Sequence, residues 1–386
     1  MIIKNANIYL DTGDFKTGGL IIEEDRIRQV GTTQKEETDC GAVPLKKEDD
    51  VIDASGLYAI PGLTDIHFHG CAGYDFCDGT KEAFDAITNY EAAHGVTTIC
   101  PATMTLPEKT LANICRSIAS YQNNQGSILS GIHMEGPFLS VKKKGAQNEA
   151  FLHKPDIELF RRLNKLCGNR FKIVSIAPEE DGAMDFISEI CKTAVISLAH
   201  TTAGYDLAAE ALKHGASHVT HLYNAMPSFH HRDPGIIGAA FDNPDCTVEL
   251  ICDGIHLHPS VIRATLKMFG EDRIIFVSDS MMATGLPDGT YSLGGQTVHV
   301  TGKKAVLGDG TIAGSVTNLM DCLKNAVINL GIPLETAVKA SAVNPAKRIG
   351  IYDNYGSITP GKVANIVLLD QDLNVKMVLL KGKKLN

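Results

Sequence analysis

The middle of the chain alternates short apolar runs with amphipathic runs, and this alternation limits the folds that the chain can adopt. Eight strand-like runs occur in chain order: GLTDIHFH, TTICPAT, ILSGIHME, FKIVSIAP, AVISLAH, HVTHLYN, TVELICDGIH and RIIFVSDS. Between most of them lie segments with apolar residues at three- and four-residue spacing. Eight such βα units in about 290 residues predict a closed (β/α)8 barrel, a TIM-like α/β fold with its active site at the C-terminal ends of the strands. An open doubly wound sheet is the alternative, but no G-x-G-x-x-G motif follows an early strand.

Both ends of the chain have a different character from the middle. Residues 1–59 contain the β-like segments IIKNANIYL, GLIIEEDRIRQV and VIDASGLYAI, with a polar stretch around Lys35 to Asp50. Residues 351–386 contain ANIVLLD and VKMVLLKG. We therefore predict a small β-sandwich domain assembled from these two ends, around a barrel domain of residues 60–350.

Composition excludes several classes of function. Lys and Arg (36) are fewer than Asp and Glu (45), which gives a net charge of -9 and an unfavourable field for nucleic acid. The N-terminal segment lacks the pattern of a signal peptide, and no run reaches the ~18 apolar residues of a membrane span, so we expect a cytoplasmic protein. The ten cysteines contain no CxxC pair, which is typical of free thiols in a reducing compartment. Cys71 and Cys77 match no zinc-ribbon spacing and are expected to be packing residues.

Residues that can bind a metal ion stand where the predicted strands end. His67 and His69 end the first run, and residues two apart in an extended segment point the same way. The other strand ends carry His133, Glu135, His200, His221, Asp253, His256 and Asp279. Each alone is more often a structural histidine or a helix-capping aspartate. Together, imidazoles and carboxylates on one barrel face are costly to bury without a cation, so the pattern predicts a metal site.

Five motifs along the chain resemble motifs of one enzyme family. PGLTDIHFHG (61–70) resembles the metal-binding motif on strand one of the amidohydrolase superfamily. HMEGPF (133–138), THLYNAM (220–226), DGIHLHP (253–259) and SDSMMATG (278–285) resemble its N-acetylglucosamine-6-phosphate deacetylase branch. The His-x-His pair alone is common to many amidohydrolases, whereas HMEGPF and HLYNAM together are specific. The resemblance covers essentially the whole chain, in order.

The resemblance implies roles for individual residues. The residues that match the main metal ligands of the family are Glu135, His200 and His221. Asp279 matches the catalytic carboxylate, which acts on metal-activated water as general base and then as general acid. His67 and His69 match positions that hold a second ion in some members and are replaced in others. The chain is therefore expected to bind one or two divalent ions, of zinc, iron or manganese.

Substrate contacts are also implied by the resemblance. The matching residues are Ala146, Asn224, Ala225, His256, Ile312, Ala313 and Gly314. Arg232 matches the phosphate-binding arginine of the family, and a guanidinium suits phosphate because it offers several donors. In homodimeric relatives this arginine reaches the site of the neighbouring subunit, which implies a homodimer here. Without the resemblance, Arg232 would be interpreted as a solvated loop charge.

One position departs from the family pattern. The branch usually has Lys-Gly, a small residue and then His, but this chain has Gln147 in place of the histidine. Glutamine donates a neutral hydrogen bond and carries no positive charge. Three consequences stay open: reduced activity, a shift toward another N-acyl sugar, or compensation by a second metal ion at His67 and His69.

The leading hypothesis is hydrolysis of N-acetyl-D-glucosamine 6-phosphate to D-glucosamine 6-phosphate and acetate, in amino-sugar catabolism. The galacto-epimer is an alternative substrate, because one inverted hydroxyl leaves the metal chemistry unchanged. A cyclic-amide hydrolase of the dihydroorotase kind would need a carboxylated lysine on strand four, and Lys172 stands at the wrong end of that strand. A non-catalytic scaffold would typically have lost ligands or the catalytic acid, and all of these are present.

Overall fold

The computed structural model describes residues 1–31, 51–123 and 125–385. The polar stretch around Lys35 to Asp50 lies outside the described residues. The strands are, in chain order, β1 (Ile2–Tyr9), β2 (Phe15–Glu23), β3 (Arg26–Gly31), β4 (Val51–Asp53), β5 (Tyr58–Pro61), β6 (Leu63–Asp65), β7 (Gly70–Cys71), β8 (Tyr74–Asp75), β9 (Val96–Ile99), β10 (Ala102–Thr103), β11 (Ile128–Leu129), β12 (Ile132–Glu135), β13 (Phe171–Ile176), β14 (Val195–Leu198), β15 (Ala216–Val219), β16 (Thr247–Ile251), β17 (Ile274–Val277), β18 (Gly289–Leu293), β19 (Gln296–Thr301), β20 (Lys304–Val306), β21 (Ile366–Leu369), β22 (Val375–Leu380) and β23 (Lys383–Lys384).

The helices follow the barrel strands in alternation. They are α1 (Lys81–Ala93), α2 (Glu108–Ser120), α3 (Ile157–Leu166), α4 (Ala183–Ile190), α5 (Tyr205–Lys213), α6 (Gly235–Asp242), α7 (Pro259–Phe269), α8 (Leu319–Ile328), α9 (Leu334–Val338) and α10 (Asn344–Arg348). The first helix shows why they form: the Thr80 side chain accepts from the Ala83 N–H as an N-cap, and Phe84 and Ile87 are buried on one face. In the described part of the chain, no helix is long and apolar enough to span a bilayer.

Parallel strands form the barrel. β10, β12, β13, β14, β15, β16 and β17 are hydrogen-bonded in that order, and β9 pairs with both β6 and β11. Barrel strand one is therefore β6, strand two is β9 with β10, strand three is β11 with β12, and strands four to eight are β13 to β17. The Asp279 N–H donates to the His67 carbonyl at 2.9 Å and the His69 N–H donates to the Ser280 carbonyl at 2.7 Å. These bonds join strand one to strand eight, and the predicted (β/α)8 class is confirmed.

The two ends of the chain share one mixed sheet. Its order is β23-β22-β21-β5-β1-β2-β3, with β4 beside β1. β5 pairs antiparallel with β21 and parallel with β1, so strands from both ends are hydrogen-bonded to each other. Ile3, Ile8, Leu20, Ile366 and Leu368 belong to a separate apolar core on this sheet. The division into residues 1–59, 60–350 and 351–386 stays a prediction.

A small antiparallel sheet follows barrel strand eight and lies beside the barrel mouth. β18 pairs with β19, and β19 pairs with β20. Leu293 and Val298 from this sheet belong to the same buried cluster as Met104 and Met281. We call residues 289–306 the lid sheet, because Leu293 also lines the cavity described below.

The cysteines of the described residues are free thiols, and most are buried. Cys71 lies in the main core, and Cys77 packs against it. Cys40 lies outside the described residues.

Three phenylalanines join the third barrel strand to the helices outside it. The Phe186 ring lies 5.0 Å from the Phe138 ring and 5.9 Å from the Phe160 ring, measured between centroids. Phe160 is on α3, Phe186 is on α4, and Phe138 lies three residues after Glu135, which ends strand three. All three side chains are fully buried. This cluster therefore supports the segment that carries a candidate metal ligand.

We expect Phe186→Ala to lower the free energy of unfolding by about 3–5 kcal/mol, because it leaves a cavity among buried rings. Urea unfolding followed by circular dichroism measures this change. The control is Ile328→Ala on α8, where the side chain is 54% exposed and the expected loss is below about 1 kcal/mol. Equal losses in the two variants would contradict the buried position of Phe186.

Candidate active site

Side chains from six barrel strands meet at the C-terminal mouth of the barrel. Each stands at the end of its strand or within a few residues of it. They are His67, His69, Glu135, His200, His221, Asp253, His256 and Asp279. A cavity of about 470 Å³ opens above them. The cavity is of the size that small-molecule ligands occupy.

The first group of candidate metal ligands is a compact triangle. The Glu135 Oε1 atom lies 3.2 Å from the His200 Nε2 atom and 3.2 Å from the His221 Nε2 atom. The two Nε2 atoms are 3.1 Å apart. Ligands placed tetrahedrally around a cation at 2.0–2.1 Å are about 3.3 Å from each other. The triangle therefore has the spacing that a divalent cation needs.

A second group lies on the other side of the same carboxylate. The His69 Nε2 atom lies 3.4 Å from Asp279 Oδ1 and 3.3 Å from Glu135 Oε2. The His67 Nε2 atom lies 3.8 Å from Asp279 Oδ1 and 3.4 Å from Glu135 Oε1. Glu135 thus stands between the two groups, in the place of a carboxylate that can bridge two ions.

The ring nitrogens and carboxylate oxygens of the two groups are better placed to bind a divalent cation than to hydrogen-bond with each other. The Nδ1 atom of His200 lies 2.8 Å from the Lys143 carbonyl, which requires the proton on Nδ1 and leaves a lone pair on Nε2. The Nε2 atom of His67 is buried and has no hydrogen-bond partner among the described residues. Imidazole nitrogen with carboxylate oxygen is the ligand set of zinc, iron and manganese sites.

Electrostatic interactions among these groups are strong. Burial lowers the pKa of His69, but hydrogen bonds to Asp279 and Glu135 outweigh it and raise that pKa to about 10. Burial likewise opposes the protonation of His67, and the carboxylates of Glu249 and Glu135 raise its pKa well above its usual value. Burial raises the pKa of Glu135, but the surrounding imidazoles hold it well below its usual value. The cluster therefore keeps its carboxylates ionised and attracts positive charge.

The backbone is strained at three of these residues. His200 has φ 43°, His221 has φ 29° and Asp279 has φ 49°, all in the left-handed region that non-glycine residues rarely adopt. Such conformations cost about 1–3 kcal/mol each and persist where the surrounding structure enforces them, often at functional sites. They turn the chain sharply where strands five, six and eight end, and no sequence pattern predicts them.

Most of the predicted substrate-contacting residues line the cavity. They are Ala146, Asn224, Ala225, His256, Ile312 and Gly314. Ala313 is fully buried beside them. The Asp253 Oδ2 atom lies 2.7 Å from the His256 Nδ1 atom, and Asp253 Oδ1 accepts the His256 backbone N–H at 3.0 Å. Asp253 therefore orients His256 toward the cavity.

One predicted strand-end residue and one predicted phosphate-binding residue lie outside the cavity. His133 points into the barrel, where its Nε2 atom lies 2.7 Å from the Ser175 hydroxyl, and it has the structural role of a hydrogen-bonded core histidine. Arg232 lies in a surface cleft with Tyr205 and Asp206, outside the cavity of its own subunit. Its guanidinium lies 2.7 Å from the His231 ring.

Two further residues contact the candidate ligands. The Gln147 side chain donates to Glu135 Oε2 at 2.7 Å and accepts the Thr105 N–H at 2.7 Å, so its amide is engaged with a ligand. Glu249 on β16 contacts His67 from below. From the sequence, Gln147 was identified only as a departure from the family pattern, and Glu249 was not identified as a site residue. The available signal for Glu249 was an acidic residue within the apolar run TVELI, on the same strand face as Asp253.

Comparisons with known proteins agree with this geometry. The model of the Amidohydrolase family matches residues 58–385. An N-acetylglucosamine-6-phosphate deacetylase from Bacillus subtilis is 35% identical over 99% of this chain and 96% of its own length. An N-acetylgalactosamine-6-phosphate deacetylase from Escherichia coli O157:H7 is 31% identical over 84% of this chain and 86% of its own length. A solved structure of the Mycobacterium smegmatis N-acetyl-D-glucosamine-6-phosphate deacetylase, a mutant in complex with N-acetyl-D-glucosamine-6-phosphate, has a TM-score of 0.90 and 30% identity, and covers 100% of this chain and 99% of that one.

We expect Glu135→Gln to reduce metal affinity at both ligand groups by more than about 100-fold, because the two groups share this carboxylate. Loss of a residue that only contacts a metal ligand lowers affinity by about 10–100-fold, and loss of a ligand itself should lower it further. Elemental analysis of purified protein and calorimetric titration with Zn²⁺ measure the loss. The matched control is Glu91→Gln, the same change at a fully buried glutamate on α1, for which metal content should be unchanged. Normal metal content in Glu135→Gln would exclude this carboxylate as a shared ligand.

Proposed function

The chain belongs to the amidohydrolase family, and from this premise we propose that it is an N-acetylglucosamine-6-phosphate deacetylase. It hydrolyses the acetamide of N-acetyl-D-glucosamine 6-phosphate to D-glucosamine 6-phosphate and acetate, in amino-sugar catabolism. The observation that carries the proposal is the group Glu135, His200 and His221 beside the Asp279 carboxylate, at the floor of a sugar-sized cavity. The cytoplasmic location stays a prediction.

We assign the metal to two positions. The family is metal-dependent, and the described residues include two separate groups of candidate ligands on the cavity floor. Glu135, His200 and His221 would hold the main ion, and His67, His69 and Asp279 would hold a second one. Both sets suit zinc, iron or manganese, and availability as well as ligand type selects among them.

The chemistry is divided between the bound cation and the side chains of this chain. When bound, a divalent cation supplies Lewis acidity, which lowers the pKa of water from 15.7 to about 7 and stabilises negative charge on the acetyl oxygen. Asp279 accepts the proton of the attacking water at its carboxylate and then delivers a proton to the departing amine. Burial lowers the pKa of His256, but the hydrogen bond to Asp253 outweighs it and raises that pKa, so that the protonated ring can donate from Nε2 into the cavity.

Gln147 affects how the acetyl carbonyl is activated. Its amide donates to Glu135 rather than into the cavity, so the chain does not use it as a substitute for a carbonyl-polarising histidine. His67 and His69 are both present and face Glu135. We therefore favour the alternative in which a second metal ion at these two histidines compensates for the missing histidine. A substrate shift and reduced activity are the other outcomes.

The substrate lies against residues from several loops. Asn224, Ala225 and His256 contact the sugar and its phosphate, while Ala146, Ile312 and Gly314 cover the sugar ring. Ala313 is buried beside them. Arg232 lies outside the cavity of its own subunit. We therefore infer a homodimer in which Arg232 of each subunit binds the phosphate in the site of the other.

The galacto-epimer is the second candidate substrate. The similar Escherichia coli protein carries that name at 31% identity, against 35% for the Bacillus subtilis protein named for the gluco substrate. The gluco and galacto substrates differ by one inverted hydroxyl, which is not part of the acetamide group that is hydrolysed.

Acetate release from each phosphorylated sugar tests the activity. We expect wild-type protein to have the higher kcat/KM on the gluco substrate, and Asp279→Asn to lower kcat by about 10²–10⁴, because the amide cannot accept or deliver the proton. Elemental analysis should still find the main ion, since its three ligands are intact.

The control is Asp245→Asn, at an exposed aspartate, which should keep full activity. Unchanged turnover in Asp279→Asn would refute the assigned role. A higher kcat/KM on the galacto substrate would instead favour the second candidate.

Mixed dimers test whether Arg232 acts in the neighbouring site. Arg232→Ala and Asp279→Asn homodimers should both be nearly inactive at low substrate concentration. When the two variants are co-expressed and the mixed dimer is isolated by two different affinity tags, one of its two sites has both Arg232 and Asp279, and about half of wild-type activity should return. A mixed dimer without recovered activity, or a monomer by light scattering, would contradict the proposal that Arg232 acts in the site of the neighbouring subunit.

A further inference from the structure

A fully buried carboxylate lies beneath the metal-ligand cluster, and the mechanism above does not use it. Glu249 is in the middle of β16 and has no exposed surface. Its Oε2 atom lies 2.8 Å from the His67 Nδ1 atom and accepts the backbone N–H of His221 at 3.0 Å. Its Oε1 atom lies 3.0 Å from the His218 Nε2 atom. One carboxylate oxygen therefore contacts residues from both groups of metal ligands.

An unpaired carboxylate in this position would be strongly destabilising, because burial removes its hydration. Here the three hydrogen bonds compensate for that loss. The His221 N–H and the His67 Nδ1 atom face Oε2, and the His218 Nε2 atom faces Oε1. With nitrogen groups at both oxygens, Glu249 accepts hydrogen bonds and does not donate them.

A fixed acceptor decides which ring nitrogen of His67 carries a proton. Because Nδ1 must donate to Glu249, the lone pair of the neutral ring is left on Nε2. That atom faces Glu135 Oε1 at 3.4 Å and Asp279 Oδ1 at 3.8 Å. A carboxylate behind a metal-binding histidine orients the ring and strengthens it as a ligand.

We propose that Glu249 is a positioning residue that presents His67 to the second metal position and links that position to the main one through the His221 backbone. The link is direct, because the same oxygen bonds the His67 ring and the N–H of a residue held at φ 29°. The inference rests on the metal site of the proposed function. It concerns metal affinity, so it does not depend on which sugar is hydrolysed.

The alternative is that Glu249 serves only as a hydrogen-bond partner of His218 in the core. The two roles predict different results. A positioning residue affects the second metal position much more than the main one, because Glu249 contacts the ring of His67 but only the backbone of His221, and the His200 ring is held by the Lys143 carbonyl. A purely structural residue affects folding stability or both metal positions alike.

The test is titration of metal-free protein with Co²⁺ alone, followed by visible absorption and calorimetry, without substrate. We expect wild-type protein to bind two Co²⁺ ions per subunit. Glu249→Gln keeps the shape but cannot accept from both rings, and it should weaken the second binding step about 10–100-fold. The first step should change less than about threefold.

Glu91→Gln is the matched control, because it makes the same change at a fully buried glutamate with no hydrogen bond to these ligands. Both of its binding steps should be unchanged. The Glu249→Gln/His67→Gln double variant should bind no more weakly than His67→Gln alone, since Glu249 acts through His67. If Glu249→Gln does not fold, Glu249→Asp keeps the charge and should weaken the second step by a smaller factor.

A single Co²⁺ ion in wild-type protein would overturn the proposal, as would equal weakening of both steps or no change in Glu249→Gln. Lack of deacetylase activity with two normal Co²⁺ steps would argue against the proposed function and leave the role of Glu249 standing.

Discussion

The structure depends on the burial of several charged and imidazole groups around one carboxylate. Glu135 lies within 3.4 Å of ring nitrogens from four histidines, and all of them are nearly inaccessible to water. Lone pairs and negative charge in such a place are costly unless a cation satisfies them. The barrel brings these groups together because parallel strands end at the same rim, and six of the eight strands contribute one or two site residues each. The left-handed turns at three of the strand ends point the side chains inward.

Support for this cluster comes from rigid elements on all sides. Backbone hydrogen bonds join strand one to strand eight directly at His67 and Asp279, so these two ligands cannot move apart without opening the barrel. Glu249 holds the cluster from below, and the Gln147 amide donates to the Oε2 atom of Glu135. Sites on strand ends with such outer contacts keep the geometry that catalysis needs. The substrate contacts are different, since they lie on loops and, for Arg232, outside the cavity of the subunit.

Much of the site was predictable from the residues because strand ends are visible in the sequence. Apolar runs followed by His or Asp identified the residues at the barrel mouth, and family motifs separated ligands from neighbours. The same reasoning grouped His133 with the ligands, although its ring points into the barrel and bonds Ser175. It also did not identify Glu249, because the sequence does not show which residue an acidic side chain inside an apolar strand will contact. The engagement of Gln147 with Glu135 depends on a loop that only folding brings back to strand three.

The sequence by itself determined the order of the βα units and the type of chemical group at each strand end, since both depend on local periodicity and residue identity. Tertiary structure decided which of those groups face each other, how far apart they lie, and which carboxylate stands between two sets of imidazoles. The reason is physical: distances of about 3 Å between residues as far apart in the chain as His67 and Asp279 follow from barrel closure and side-chain packing. Those constraints act on the whole chain at once, and no local segment contains them.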